Sequence, residues 1–323
     1  MSELFFTNTL KSSRAYQLLE GDFRHGLGHA YMIVSSDDEV VKEFFTLVAS
    51  SVFCENKSAC FDCNECGRVV HGNHPDVIII NEKGDTIKVE TIREMTEDAG
   101  IRSFSGTKLY YIHRADLMNV NAQNKLLKTL EEPPKGVTIF LGVSNESAML
   151  DTIKSRTRQV ALDIFDNQTV KNAMLALGFT DEIASLSADC SEGLLGKAHK
   201  IASSPDYASL YSAALSLLGG LKRSTDIIAL DHGTEFLKKT DEFLNILSVV
   251  LRDMLAVKSN NPVLSRHVGL EIRNIAEGFS SKAISEIILI INEARRKLSL
   301  NVNLQGTIDS LLFSILEAKY KWQ

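Results

Sequence analysis

Residues Lys108 to Arg158 read KLYYIHRADLMNVNAQNKLLKTLEEPPKGVTIFLGVSNESAMLDTIKSRTR, and this stretch decides the fold. It contains three short apolar runs, which are typical of buried strands. A helical pattern separates the first two runs; Asn119 or Asn121 can cap this helix, and Pro133-Pro134 ends it. Short connections between strand, helix and strand predict a parallel sheet. The predicted strands are Leu109–Ile112, Val137–Val143 and Val160–Ile164.

Two motifs in this stretch carry a family resemblance. Residues 124–134 read NKLLKTLEEPP, and Ser155, Arg156 and Thr157 follow as SRT. They resemble the LLKTLEEPP and SRC motifs in the AAA+ module of bacterial clamp-loader subunits. The resemblance implies an α/β AAA+ core with a parallel five-stranded sheet, followed by an all-α lid and an all-α collar. It implies a core over residues 1–166 with a cysteine loop inserted at 54–66, a lid over 167–204 and an oligomerising collar over 205–323.

The composition is that of an ordinary globular chain. Its 323 residues are enough for two or three domains, and hydrophobic residues make up 44% and charged residues 24%. The formal net charge of -6 argues against broad wrapping of nucleic acid. We find no apolar run that could span a bilayer and no secretion signal at the N-terminus, so we expect a cytoplasmic, reducing location. In that environment clustered cysteines favour metal binding over disulfides.

The loop after the apolar run His29–Val34 lacks the phosphate-binding motif that AAA+ ATPases carry there. That motif, GxxxxGK[ST], uses glycines to close backbone N–H groups on phosphate and a lysine for the terminal phosphates. Residues 35–42 read SSDDEVVK instead, with no glycine, three carboxylates and a lysine at the wrong spacing. We therefore expect the chain not to bind ATP in the usual way.

The magnesium-binding acids of the family are missing as well. ATP-hydrolysing relatives end the strand at Leu109–Ile112 with Asp-Glu, whereas this chain has His113-Arg114. Asp116 is predicted to be a cap or a loop acid. Both losses make the chain most similar to the non-hydrolysing, delta-prime branch of the DNA polymerase III clamp loader. An ATPase with degenerate motifs and residual nucleotide binding remains an alternative, as does a zinc-containing nucleic-acid-binding protein.

The resemblance assigns a catalytic role in trans to Arg156. In clamp loaders the arginine of this motif, flanked here by Ser155 and Thr157, is a finger that stabilises phosphoryl charge in a neighbouring ATP site. The residues alone favour a surface arginine that caps the preceding helix, and only the resemblance favours the finger. Glu131 and Glu132 are predicted to cap a helix end, with an interface contact as the alternative. The partners implied are the gamma/tau ATPase subunits and the delta subunit, with the sliding clamp and primed DNA reached through the complex and no membrane involved.

Four of the five cysteines form one cluster, which predicts a metal site. The ligands would be Cys54, Cys60, Cys63 and Cys66 on a short polar loop. Four thiolates suit a tetrahedral, structural Zn²⁺, and the family resemblance also points to zinc. An iron–sulfur cluster and a redox thiol pair are the alternatives. We expect His71 and His74, which follow the cluster, to be loop or surface residues.

The C-terminal half is predicted to be helical throughout. Three short helices are expected first, followed by longer ones whose apolar stripes indicate core packing. The first long stripe starts at Leu237, and the run Leu298–Leu304 resembles the closing segment of a clamp-loader collar. The three short helices are expected over Val170–Leu177, Asp181–Ala188 and Glu192–Ala202.

Overall fold

A computed structural model describes residues 4–222, 240–261, 263, 265, 269–299 and 302–322 of the chain. Leu237 in the first predicted long helix and Asn301 in the predicted collar segment lie outside these ranges. Among the residues described, none of the helices combines the length and the apolar character needed to cross a membrane.

The core of the N-terminal part is a five-stranded parallel sheet, which confirms the predicted fold class. The strand order is β2-β3-β4-β1-β5. The central strands β3 and β4 are buried along their whole length, as expected for a sheet covered on both faces. The strands are β1 Ala30–Val34, β2 Val77–Ile80, β3 Lys108–Ile112, β4 Val137–Val143 and β5 Arg158–Ala161.

The last strand begins earlier than its apolar run suggested. We predicted a strand over Val160–Ile164, but β5 pairs with β1 from Arg158 to Ala161. Only Val160 of β5 is buried, because this strand is at the edge of the sheet. Backbone pairing rather than burial therefore sets its limits, and hydrophobicity is a poor guide there.

The helices of this part connect and cover the strands. The helix over the LLKTLEEPP motif is capped by Asn119, whose side chain accepts a hydrogen bond from the backbone N–H of Ala122 at 2.9 Å. It ends at Glu131, ahead of Pro133-Pro134, as predicted. The helices are α1 Thr7–Lys11, α2 Arg14–His25, α3 Asp38–Phe53, α4 Asn64–Val70, α5 Val89–Ala99, α6 Val120–Glu131, α7 Asp151–Lys154 and α8 Asn167–Ala176, with 3₁₀ turns at Ala115–Leu117 and Glu146–Ala148.

The chain divides into two compact units. The first comprises Met1–Leu177 with Gly193–Lys197, and the second comprises Gly178–Glu192 with Ala198–Gln323. The division into core, lid and collar at residues 166 and 204 stays a prediction.

The remaining described segments are mainly helices, and they pack around an apolar core in the second unit. The helix predicted from Glu192 begins at Leu195 instead, because Glu192 and Gly193 both have left-handed backbone angles, with φ of 59° and 83°. The helices are α9 Asp181–Cys190, α10 Leu195–Ser203, α11 Tyr207–Gly220, α12 Thr240–Lys258, α13 Gly269–Glu277, α14 Ser281–Ser299 and α15 Leu304–Lys321.

Candidate functional site

The loops at the carboxyl ends of β1, β3 and β4 converge, as ligand-binding loops do in parallel sheets. The loop after β1 carries Asp37, which is buried and whose carboxylate does not cap α3. Instead, its Oδ2 accepts a hydrogen bond from the backbone N–H of Gly196 at 2.7 Å. Gly196 is the second residue of α10, so one of the unpaired N–H groups of that helix end points at Asp37. A carboxylate of the chain itself thus takes a position that favours an anion.

Arg114 forms the centre of an ion network beside Asp37. Its Nη1 lies 2.7 Å from Oδ2 of Asp38, and its Nη2 lies 3.1 Å from Oδ2 of Asp116. Ser144, just after β4, donates from its backbone N–H to Asp116 at 3.2 Å and from its hydroxyl to Asp38. The network therefore links the loops that follow three neighbouring strands. Asp116, predicted to be a cap or loop acid, is a buried member of this ion network.

The charge around this network is unsuitable for a triphosphate. Asp37, Asp38 and Asp116 supply three carboxylates, and the guanidinium of Arg114 is already paired with two of them. His113 adds no cation near neutral pH, because burial lowers the pKa of its imidazole below the ordinary value. Lys42 points elsewhere, since its Nζ lies 2.7 Å from Oε1 of Glu82. A polyanion at this position would meet repulsion rather than charge compensation.

Arg156 lies in the turn between α7 and β5, and its side chain is partly exposed. Its Nη1 donates to the backbone carbonyl of Thr152 at 3.0 Å, and its Nη2 lies 2.8 Å from Oε1 of Glu131. The imidazole Nε2 of His29 lies 3.1 Å from the backbone carbonyl oxygen of Arg156. The predicted finger is therefore a surface cation with a defined set of contacts inside its own domain.

The two residues that flank Arg156 bond back to α7. The hydroxyl of Ser155 donates to the carbonyl of Thr152 at 3.1 Å, and the buried hydroxyl of Thr157 donates to the carbonyl of Ile153 at 3.1 Å. Both contacts close the last turn of the helix, where carbonyls lack intrahelical partners. Ser155 and Thr157 thus fix the backbone from which Arg156 projects, and a catalytic part for either one stays a prediction.

The four predicted metal ligands come together on one loop. The sulfur atoms of Cys54, Cys60, Cys63 and Cys66 all lie within 4.8 Å of one another. Cys54 and Cys66 are buried, whereas Cys60 and Cys63 are partly exposed. The loop between them is bent by three residues with left-handed backbone angles, Lys57, Ala59 and Phe61. This cluster could hold a metal ion.

Backbone N–H groups directed at the sulfurs favour thiolates at two positions. Burial raises the pKa of Cys54, but N–H donors from Cys60 and Ser58 outweigh it and bring that pKa to about 6. The pKa of Cys63 is lowered, first by the backbone N–H of Cys66. Burial instead raises the pKa of Cys66, because its thiol is enclosed. A cation would stabilise all four sulfurs as thiolates, which is the form that binds metal.

His74 anchors the cysteine loop to the sheet, a role that the sequence did not reveal. We expected a loop or surface residue; His71 is exposed, but His74 is buried at the start of the turn into β2. Its ring centroid lies 3.9 Å from that of Phe53, and its Nε2 lies 3.2 Å from Oε2 of Glu65, between two of the cysteines. Its Nδ1 accepts a hydrogen bond from the backbone N–H of Asp76 at 3.2 Å.

Comparisons with known proteins find similarity to subunits of DNA polymerase III. The family model described as "DNA polymerase III, delta subunit" matches residues 11–166. The chain is similar to DNA polymerase III subunit delta' of Bacillus subtilis, with 28% identity over 90% of this chain and 92% of that protein. It is similar to the delta' subunit of Escherichia coli K12, with 30% identity over 44% of this chain and 45% of that protein.

A solved structure supports the fold. The gamma subunit-related protein of DNA polymerase III from Thermotoga maritima superimposes with a TM-score of 0.53 at 16% identity. The superposition covers 95% of this chain and 100% of that chain. The likeness at this identity concerns the architecture alone.

Proposed function

The chain belongs to the delta-prime family of DNA polymerase III clamp-loader subunits, and on that premise we propose a division of labour within the complex. This subunit does not hydrolyse ATP itself. It presents Arg156 in trans to the ATP site of a neighbouring gamma/tau subunit. Together with the delta subunit, it helps the complex to place the sliding clamp on primed DNA.

The observation that carries this proposal is the contrast between two surfaces of the same domain. The loops at the strand ends are closed by the chain's own ion network around Arg114, which leaves no compensated place for phosphates. Arg156, in contrast, is a partly exposed cation, and among the described residues the acid that it pairs with is the exposed Glu131. This pattern suits a subunit that contributes to catalysis at another subunit's site.

The chemistry expected of Arg156 follows from its side chain. Guanidinium is planar, permanently charged and able to grip two phosphoryl oxygens at once. Charge develops on those oxygens during phosphoryl transfer, and an arginine finger in trans is worth about 10³–10⁵ in rate. Ser155 and Thr157 hold the turn that carries this side chain, through their bonds to α7.

We also propose that Cys54, Cys60, Cys63 and Cys66 hold a structural Zn²⁺. Four thiolates complete the coordination of this ion, so no position remains for a catalytic water. The bound ion would supply a cross-link between the end of α3 and the start of α4. Buried His74 and its partly exposed partner Glu65 would support the loop from outside, as residues around the ligands commonly do in zinc sites.

The finger is tested by Arg156→Ala in a complex reconstituted with partner ATPase subunits. We expect normal assembly and a fall of about 10³-fold or more in partner ATP hydrolysis, because transition-state charge loses its cation. The matched control is Arg158→Ala, since this nearby arginine is exposed but pairs with Asp22 on its own domain. It should leave hydrolysis close to the unmodified level.

Unchanged hydrolysis in the Arg156→Ala complex would refute the proposed role. A separate assay on the isolated chain tests whether it has ATPase activity of its own. The chain alone should neither hydrolyse ATP nor bind it in a saturable, magnesium-dependent way, and either result would instead support a degenerate ATPase.

A further inference from the structure

We infer that Glu131 is a positioning residue for the guanidinium of Arg156, an inference that rests on the proposed function of that arginine. Glu131 is the last residue of α6, and its Oε1 lies 2.8 Å from Nη2 of Arg156. The two residues are 25 positions apart in the sequence, and the parallel sheet brings the ends of their segments together. The pair thus joins the LLKTLEEPP motif directly to the SRT turn.

The location of Glu131 is unfavourable unless a cation accompanies it. The C-terminus of a helix carries partial negative charge, so a carboxylate in the last turn is repelled. Arg156 relieves this repulsion, and the helix end in turn attracts its guanidinium. Glu132, the next residue, is exposed and forms no ion pair among the described residues. The two adjacent acids therefore have different contacts despite their identical chemistry.

The contacts of Arg156 orient its guanidinium while leaving donors available. Nη1 donates to the carbonyl of Thr152 at 3.0 Å and to the hydroxyl of Ser155 at 3.4 Å, and Nη2 lies 2.8 Å from Oε1 of Glu131 as an ion pair. Within the described part of the chain, neither Nε nor Nη2 donates a hydrogen bond. Two N–H donors of one planar group therefore stay available for two phosphoryl oxygens.

The pair is weak enough to be shared with a substrate. The side chains of Arg156 and Glu131 are 36% and 49% exposed, and ion pairs at such exposure are screened by water and salt. The carboxylate limits the rotamers that the guanidinium samples, and a phosphoryl group can still replace or share it. Glu131 thus acts by preorganisation, which reduces the loss of side-chain freedom when the finger engages.

The test is Glu131→Gln in the reconstituted complex, with Glu132→Gln as the matched control. Glutamine keeps the shape and an acceptor oxygen but removes the charge. We expect kcat for partner ATP hydrolysis to fall about two- to fivefold, with KM for ATP unchanged, since exposed pairs are individually weak. Glu132→Gln should behave as the unmodified complex does. In an Arg156→Ala background, Glu131→Gln should have no further effect.

The salt dependence of hydrolysis distinguishes a positioning role of Glu131 from a merely structural one. The ratio of kcat between the unmodified complex and the Glu131→Gln complex should approach one as ionic strength rises from about 0.05 M to about 0.5 M, because salt screens the ion pair between Glu131 and Arg156. If Arg156→Ala leaves hydrolysis unchanged, the proposed function itself fails. If Arg156→Ala reduces hydrolysis but Glu131→Gln matches Glu132→Gln or exceeds the unmodified rate, only the positioning role is overturned.

Discussion

Replacing Arg114 with alanine should destabilise the first compact unit, because it removes the cation at the centre of the ion network. Asp116 would keep its hydrogen bond from the backbone of Ser144 but lose its charged partner. Asp38 would lose the contact at 2.7 Å and would then face Asp116 without a cation between them. The substitution therefore converts a compensated cluster into a group of like charges.

The size of the effect follows from the burial of the partners. Breaking a fully buried ion pair from one side costs about 3–5 kcal/mol. The side chain of Asp116 is 3% exposed, but Arg114 is 28% exposed, so solvent reduces the loss. We expect the free energy of unfolding to fall by about 2–3 kcal/mol. Arg93→Ala is the control, because Arg93 is 60% exposed and 3.8 Å from Glu97, and it should cost less than about 0.5 kcal/mol.

The measurement is hydrogen exchange of the β3 and β4 amides with urea unfolding in parallel, since the chain has two compact units and exchange reports on each segment separately. A second variant, Asp116→Asn, removes the charge that Arg114→Ala leaves unpaired. The double variant should therefore be more stable than the sum of the single losses predicts, by about 1–2 kcal/mol. Additive losses, or a loss no larger than that of Arg93→Ala, would show that the network does not hold these loops together.

Two further predictions concern pH and metal. Burial raises the pKa of the Glu43 carboxyl to about 7 from 4.5, so the folded chain binds a proton that the unfolded chain has released, and stability should fall as pH rises through this window. In Glu43→Gln, the free energy of unfolding measured with urea should lose about 3 kcal/mol of its change between pH 4.5 and pH 7. The same pH dependence in the variant and the unmodified chain would contradict the raised pKa of Glu43. Metal analysis of the purified chain should find about one zinc per chain, lost in Cys60→Ser and kept in His71→Ala, and chelation should lower Tm by about 5 °C or more. Iron with sulfide, or no metal, would exclude the zinc site.

Local sequence patterns predicted the elements that depend on local physics. The double proline ends α6 because proline supplies no donor and restricts the residue before it. The strand Val137–Val143 was predicted at its observed limits because it is central and buried on both faces. The four cysteines were predicted to meet because a short loop carries all of them.

Contacts between distant segments could not be predicted in the same way. Asp37 bonds to Gly196, and Glu131 pairs with Arg156, because the fold brings distant segments together, and no spacing in the sequence indicates either contact. Histidine is a polar residue that is common at protein surfaces. His74 is buried because Phe53 packs against its ring and Glu65 lies beside it, and neither contact can be read from the sequence. The sequence shows which groups carry charge but not which groups neutralise them.

The bond between Asp37 and Gly196 has a consequence for how this subunit responds to its surroundings. A ligand that stabilises a helix end does so by mass action and leaves when its concentration falls. Asp37 is covalently part of the chain, so its contact at 2.7 Å is intramolecular and does not depend on any solute. The link between the loop after β1 and the start of α10 therefore needs no bound ligand. In the complex proposed above, this link would keep one arrangement while ATP is bound and hydrolysed at the sites of the other subunits.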